Sequence, residues 1–229
     1  MLEYWNEAVV PFFVNFGSTA ARISQGLDVT LELFFATLIL SIPLGLIISL
    51  GAISHRKWIK SPIKTYIWLL RGTPLMLQLL FVYYGLYMLF GIVLDAMPAA
   101  LLAFVLNYAA YFAEIFRGGI QSIDNGQFEA AYAMGFSKMQ TMWRIILPQT
   151  IGRILPPVGN EAISLVKDTS LVSIISLSDI LTRTKNIVAA GTNISAFFVA
   201  AVFYLVMTFV ITKIFDMLEK RFSAGIQRI

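Results

Sequence analysis

Cysteine is absent from this chain, histidine occurs once, and charged side chains make up only 13% of the residues. The first absence excludes disulfides and thiolate metal sites. The second removes most imidazole chemistry: His55 lies among Arg56, Lys57 and Lys60, where anchoring at a membrane surface is the simple reading. The third leaves the chain with about half the charge of an ordinary soluble domain. Set beside 58% hydrophobic residues and a mean hydropathy of +0.77, it indicates an integral membrane protein. Catalytic motifs are missing as well. There is no Gly-x-x-x-x-Gly-Lys-Ser/Thr loop, no His-Glu-x-x-His, no Ser-His-Asp set and no dinucleotide fingerprint. No catalytic residue and no metal site is expected, so the chain must borrow the energy for whatever it does. The start, MLEYWNEAVV, lacks a basic region before an apolar stretch, and a cleaved signal peptide is not expected.

What is present is a series of apolar runs. Leu33 to Ile53 and Ala196 to Ile211 approach the roughly 20 residues that carry a helix across about 30 Å of hydrocarbon. In chain order the pattern predicts an all-α membrane protein with five spans. Residues 1–24 read as an interfacial amphipathic helix, broken at Pro11 or Gly17. The first span runs from about Thr30 to Ile53, kinked at Pro43. The second lies within residues 61–93 and is interrupted by Arg71-Gly72-Thr73-Pro74, where Thr73 could cap a new helix with Pro74 at its first position. The third covers Met97 to Phe116. The fourth starts near Ile151 and reads as broken, since it holds Pro156-Pro157, Gly159-Asn160-Glu161 and Lys167-Asp168-Thr169-Ser170. Ile174 to Thr192 reads as an outer helix or scoop, Ser195 to Phe215 as the fifth span, and residues 221–229 as a cytoplasmic tail.

Charge decides orientation. Twelve cations fall in the segments assigned to the inner side (Arg56, Lys57, Lys60, Lys64, Arg117, Lys138, Arg144, Arg153, Lys213, Lys220, Arg221 and Arg228), against Arg22, Arg183 and Lys185 outside. The positive-inside rule then puts the N-terminus outside and the C-terminus in the cytoplasm, which five crossings satisfy.

That orientation places Glu129 to Pro148, EAAYAMGFSKMQTMWRIILP, in the cytoplasm. Glu129, Ala130 and Ala131 would open a helix with its acid near the positive dipole end, and Gly135 would end or bend it. Phe136, Met139 and Met142 offer apolar contact area. From these residues alone the segment is either a docking helix or an ordinary loop helix lying on the bilayer.

The pattern Glu129-Ala130-Ala131, three residues, Gly135, nine residues, Ile145-x-Leu147-Pro148 resembles the EAA loop of bacterial ABC importer permeases. The neighbouring text is similar to the polar amino acid branch of that family, which includes histidine, glutamine and arginine importers. It comprises Arg71 to Pro74, Ala113-Glu114-Ile115-Phe116-Arg117-Gly118-Gly119-Ile120, Gly126-Gln127, Leu147-Pro148-Gln149 and Lys167 to Leu171. The resemblance spans residues 25–220. It departs at Tyr132-Ala133-Met134, where the family usually has Ala-Leu near the glycine, so the exact contact surface of the loop is open.

The resemblance implies a type I importer (MetI-like) permease fold in a bacterial plasma membrane. Its EAA loop, residues 129–148, would be the coupling helix, with Glu129, Ala130, Ala131, Gly135, Phe136, Leu147 and Pro148 meeting an ABC ATPase subunit. ATP and Mg would be bound by that partner, and this chain would hold no cofactor. The other implied partners are a second permease subunit, either a copy of this chain, which is favoured, or a homologue, and an extracytoplasmic amino acid-binding protein. Nucleic acid has no part.

Candidate substrate contacts are the polar groups placed at membrane depth: Asn160, Glu161, Asp168, Gln78 and Glu114. If the fourth span enters near Arg153, a 1.5 Å rise puts Asn160 and Glu161 roughly 10 Å deep and Asp168 roughly 20 Å deep. A buried carboxylate is costly unless paired, and a cationic substrate could pair with it. Gln78 needs a polar partner in hydrocarbon. Glu114 stands one helical turn from Arg117, so an interfacial ion pair competes with a substrate role. Lys167 and Asp168 could equally neutralise one another. The expectation is transport of a basic amino acid such as arginine, lysine or histidine. Glutamine or another polar amino acid is the rival substrate, and a secondary transporter not driven by ATP is the rival mechanism.

Overall fold

The computed structural model describes residues 10–191 and 195–226, with side chains over 16–190 and 195–222. Positions 1–9 of the expected N-terminal helix and 227–229 of the expected tail lie outside the described residues. All regular structure among the described residues is helical.

Helix α1 (Val10–Ile23) continues through Gly17 and passes by a 3₁₀ turn at Ser24–Gly26 into α2 (Leu27–Ala52), the first span. Pro43 is accommodated within α2. α2 owes its packing to small residues. Thr30, Thr37, Ser41, Gly45, Ser49 and Ala52 recur at helical spacing, and all are buried. Thr30 meets Ile180 N at 3.5 Å, while Gly45 packs on Ala109, Phe112 and Ala113 of α6 (Ala96–Gln121), the third span, whose Ala99, Ala100, Ala103, Ala109, Ala110 and Ala113 are also buried. Small side chains on both helices allow close backbone approach, the usual route to helix association where lipid removes the hydrophobic drive.

The second span is two helices. α3 (Lys57–Gly72) and the following helix, α4 (Leu75–Leu80) continued by a π-helical turn (Phe81–Gly85) and α5 (Leu86–Phe90), are bent by 105° at Thr73-Pro74. After α6, the chain makes a short excursion through α7 (Asn125–Ala133), α8 (Lys138–Thr141) and a second π-helical turn (Met142–Ile146). This excursion packs on the ends of α2 and α6, where Leu50, Ile53, Ile120, Ile123, Phe128 and Ile146 form one apolar cluster.

α9 (Leu147–Asp168) is the fourth span. The sequence points to a span broken by Pro156-Pro157, Gly159-Asn160-Glu161 and Lys167 to Ser170; the helix runs through the first two and ends only within the third, at Asp168, where a 3₁₀ segment (Thr169–Ile175) follows. The prolines forfeit bonds to the carbonyls of Gly152 and Arg153. Packing against α6 and α11 through Ile154, Val158 and Gly159 holds the helix together: a Cβ on Gly159 would lie 2.9 Å from the Phe215 ring. α10 (Ile180–Gly191) then packs against α1 and the start of α11 (Ser195–Ile226), the fifth span, which is helical beyond residue 220.

Hydropathy alone marks α2, α6 and α11 as long and apolar enough to cross a membrane, with the bent α3 to α5 pair as a fourth. At 1.5 Å per residue, the 22 residues of α9 reach about 33 Å, also enough to cross. Its polar residues keep it below a hydropathy threshold, and they are the ones that build the site.

Candidate functional site

The break in the second span is held open by a polar clamp. Pro74 disfavours helix at the residue before it, and Thr73 is extended (φ −119°, ψ 145°), so α3 must stop. Stopping frees carbonyls that lipid cannot satisfy. Gln78 supplies the donor: its Nε2 lies 2.9 Å from Leu70 O, 3.1 Å from Thr73 O and 2.8 Å from Thr73 Oγ1. Asn107 of α6 is 4% exposed and donates to Leu70 O at 3.1 Å and to Gln78 Oε1 at 3.0 Å. Thr73 does not cap the next helix. Its hydroxyl donates back to Leu69 O at 2.9 Å.

α9 faces this break. Glu161, Ser164 and Asp168 are spaced three and four apart, which puts them on one helical face. With Thr73, Pro74, Met76, Asn107, Tyr108 and Tyr111 they border a cavity of about 530 Å³. Tyr108 is buried and donates its hydroxyl to Asp168 Oδ2 at 2.8 Å. The wall contains two carboxylates and no lysine or arginine. Arg71 stands just outside, 5.3 Å from the centroid of the Tyr111 ring, with its Nη1 4.0 Å from Glu114 Oε1. Such a chamber can solvate a small polar cation, because two acids in a half-buried setting attract positive charge more strongly than they would in water.

The structure brings together only some of the residues expected to contact substrate. Glu161 and Asp168 share the cavity. Asn160 does not: one residue from Glu161 means about 100° around the helix, and it is exposed outside the cavity wall. Gln78 sits behind the wall as part of the clamp. Glu114 belongs to a separate cavity of about 390 Å³ with Lys64, Trp68, Arg71 and Arg117, and it is ion-paired with Arg117, whose Nε is 3.0 Å from Glu114 Oε2. Thr73, Asn107, Tyr108, Tyr111 and Ser164 were not expected. Asn107 was the readable one, since a carboxamide in the middle of an apolar span needs a partner.

The residues expected to couple are split by burial. α7 opens four residues before Glu129, capped by Asp124, whose Oδ1 accepts from Gly126 N at 2.6 Å; Asp124, not Glu129, occupies the positive end of the helix dipole. Glu129 and Ala130 are exposed, but Ala131 is buried and its carbonyl accepts from Phe136 N at 3.0 Å. Gly135 ends the helix in the left-handed region, φ +82°, and a capping box formed by Ser137 and Gln140 starts α8. Phe136 and Leu147 are half-buried, and Pro148 is exposed in the first turn of α9. The large apolar side chains that protrude are Tyr132, Met134, Met139 and Trp143. Gln149 Nε2 reaches Gln127 Oε1 at 3.2 Å, and Arg153 Nη1 reaches Ser122 Oγ at 3.0 Å, so the excursion is tied directly to the fourth span.

Residues 41–224 match the family described as the inner membrane component of binding-protein-dependent transport systems. The chain belongs to this family. Among relatives, the arginine transport system permease protein ArtQ of Bacillus subtilis is 36% identical over 219 residues, covering 93% of this chain and 99% of the relative. The L-cystine transport system permease protein TcyB of the same organism is 34% identical over 201 residues, covering 87% of this chain and 86% of the relative. A crystal structure of an amino acid ABC transporter with histidines superposes with a TM-score of 0.84 at 37% identity, covering 91% of this chain and 98% of that one. This permease is therefore an amino acid ABC importer subunit with the MetI-like fold, and it is a transport subunit with no enzymatic activity of its own. Among the described residues no group of three His, Cys, Asp or Glu is placed to hold a metal ion.

Proposed function

We propose that this permease carries a basic amino acid, arginine or a close relative, through the chamber between the broken second span and α9. The carrying observation is the lining: Glu161 and Asp168 with no cation in the wall of a 530 Å³ cavity. A guanidinium or ammonium side chain meets the two carboxylates, while Thr73, Asn107 and Ser164 offer neutral hydrogen-bonding groups. Those neutral groups also support a second reading, a glutamine-like polar substrate.

In this reading an extracytoplasmic binding protein delivers the amino acid. Two permease subunits, taken as copies of this chain, form the pathway, and partner ATPase subunits bind ATP and Mg. The basic end of the bundle faces the cytoplasm of a bacterial cell, with the N-terminus outside. Nucleotide binding moves the ATPases, and the segment from Asn125 to Pro148, with Glu129 and Tyr132 on its exposed surface, passes that movement to α9. Alternating access then follows from differential binding of nucleotide to two states.

Uptake into proteoliposomes holding the assembled importer tests the substrate. A charge-assisted hydrogen bond is worth about 1.5–3 kcal/mol, so Glu161→Gln is expected to raise the apparent KM for arginine about 10- to 100-fold and to leave glutamine uptake little changed. Unchanged arginine uptake would sink the carboxylate reading. Uptake driven by an ion gradient without ATP would sink the importer mechanism.

A further inference from the structure

An amino acid carries a carboxylate whatever its side chain, and the chamber wall offers no cation to meet it. Glu161 and Asp168 would repel that group, and no lysine or arginine stands among the lining residues. Two cations lie near. Lys167 is exposed and one residue from Asp168, about 100° around α9 and off the wall. Arg71 lies in the last turn of α3 with its Cζ 5.3 Å from the centroid of the Tyr111 ring, and Tyr111 is part of the wall.

The fold presents Arg71 from a fixed point and leaves its head weakly committed. The backbone on either side is pinned, since Gln78 Nε2 bonds Leu70 O at 2.9 Å and Thr73 O at 3.1 Å. The guanidinium rests over the Tyr111 ring, and its Nη1 lies 4.0 Å from Glu114 Oε1. Glu114 does not depend on that contact. Arg117 already gives it a two-pronged pair, Nε on Oε2 at 3.0 Å and Nη2 on Oε1. An ion pair at 4.0 Å between partly exposed side chains is worth little, so Arg71 can leave Glu114 at small cost.

Arg71 thus stands between two cavities, that of Glu114 and the chamber, and its charge also reaches Glu161. A substrate whose basic end meets Glu161 and Asp168 must keep its carboxylate clear of both. A guanidinium set over Tyr111 is the planar, forked donor that matches a carboxylate. We propose that Arg71 receives the α-carboxylate of the transported amino acid, so that the chamber selects free basic amino acids over their amides and over amines with the same side chain. The assignment rests on the basic amino acid reading and adds to it the group that recognises the other end of the substrate.

Calorimetric titration of the assembled importer in nanodiscs tests it, with L-arginine and with argininamide at a pH where both α-amines are protonated. The amide keeps the guanidinium and loses the carboxylate charge. Wild type is expected to bind arginine about 10- to 100-fold more tightly than the amide. Arg71→Gln should weaken arginine by about that factor without weakening the amide, which brings the ratio near one. Arg71→Lys keeps the charge but loses the fork, and its ratio should fall between the two. Should the glutamine variant fail to assemble, a wild-type ratio in the lysine variant would overturn the proposal. Lys167→Gln should keep the wild-type ratio, and a ratio lost there instead would move the carboxylate to Lys167 and overturn the assignment. Equal weakening of both ligands by Arg71→Gln would reduce Arg71 to a structural role. Wild type that binds arginine, with a ratio that survives Arg71→Gln, would remove the Arg71 assignment alone. Wild type that binds neither ligand would remove the basic amino acid reading and this assignment with it.

Discussion

Tyr108 donates its hydroxyl to Asp168 Oδ2 across 2.8 Å, joining the middle of the third span to the last residue of α9. Asp168 is also where α9 gives way to a 3₁₀ segment, so this bond fixes the carboxylate at a point where the backbone changes course. Tyr108→Phe removes the donor and keeps the ring. With Asp168→Asn as partner in a double-mutant cycle on arginine uptake, a coupling of about 1–3 kcal/mol in KM is expected. Additive single effects would mean that the two side chains act independently.

Asn107 satisfies two acceptors at the break in the second span, Leu70 O and Gln78 Oε1. Removing a buried partner costs more than the bond it made, because the orphaned groups remain out of water. Asn107→Ala is therefore expected to cost about 1–3 kcal/mol, because it orphans Gln78 Oε1 while Leu70 O keeps the bond from Gln78 Nε2. Asn107→Asp should be no better, since a carboxylate cannot donate to either acceptor. Thermal unfolding of the purified permease in detergent checks both.

Much of this arrangement was legible in the residues and part of it was not. Composition, the apolar runs such as Leu33 to Ile53 and the cation count defined a helical membrane protein. Glu161 and Asp168 stood out because charge at membrane depth is costly without a purpose. The interruption of the second span at Arg71 to Pro74 was legible, whereas Pro156-Pro157 suggested a break in the fourth span that does not form. Tertiary packing keeps α9 continuous, whereas Thr73-Pro74 has the carboxamides of Gln78 and Asn107 to stabilise an open turn. Tyr108 and Tyr111 were invisible as site residues because aromatic side chains in a span read as lipid contacts until α9 is placed opposite them.

Gly45 sits where α2 and α6 cross. A Cβ there would lie 2.7 Å from Phe112 Cβ and 3.1 Å from both Ala109 O and Ala113 N, none of which is the free end of a flexible chain. Gly45→Ala must push the helices apart, at a cost of about 1–3 kcal/mol. Gly118 on the same α6 has nothing within 4 Å, so Gly118→Ala should be neutral or stabilise by up to about 1 kcal/mol. Opposite shifts in unfolding temperature are the expected result, and equal shifts would refute the close-crossing account.

Gly135 separates α7 from α8 at φ +82° with no atom within 4 Å of a built Cβ. Any defect on substitution must therefore come from backbone conformation and not crowding. Gly135→Ala pays about 1–2 kcal/mol to hold the left-handed region, whereas asparagine tolerates it better. If this break positions the cytoplasmic excursion for coupling, Ala should raise the ATP hydrolysed per amino acid imported and Asn should restore most of the wild-type ratio. Equal losses in both variants would point to a side-chain contact instead.

Asp179 caps α10 from outside the spans, its carboxylate accepting from Leu181 N at 3.1 Å and Thr182 N at 2.9 Å. Burial raises its pKa above the ordinary aspartate value, and the bonds from Thr182 and Leu181 and the charge of Lys185 offset this only in part. The sign follows from linkage: the folded chain holds this proton to higher pH than the unfolded chain, so the contribution of Asp179 is greatest below about pH 4 and declines as pH rises through the folded value. Asp179→Asn keeps an acceptor for the cap without a buried charge, and at pH 7 it should be as stable as the native chain or more so. Asp179→Ala loses the cap and should cost about 1–2 kcal/mol. Unfolding temperatures measured between pH 4 and pH 7 check the assignment. The difference between Asn and native should widen in favour of Asn as pH rises, while a gap that narrows would mean that the bonds at the cap outweigh burial.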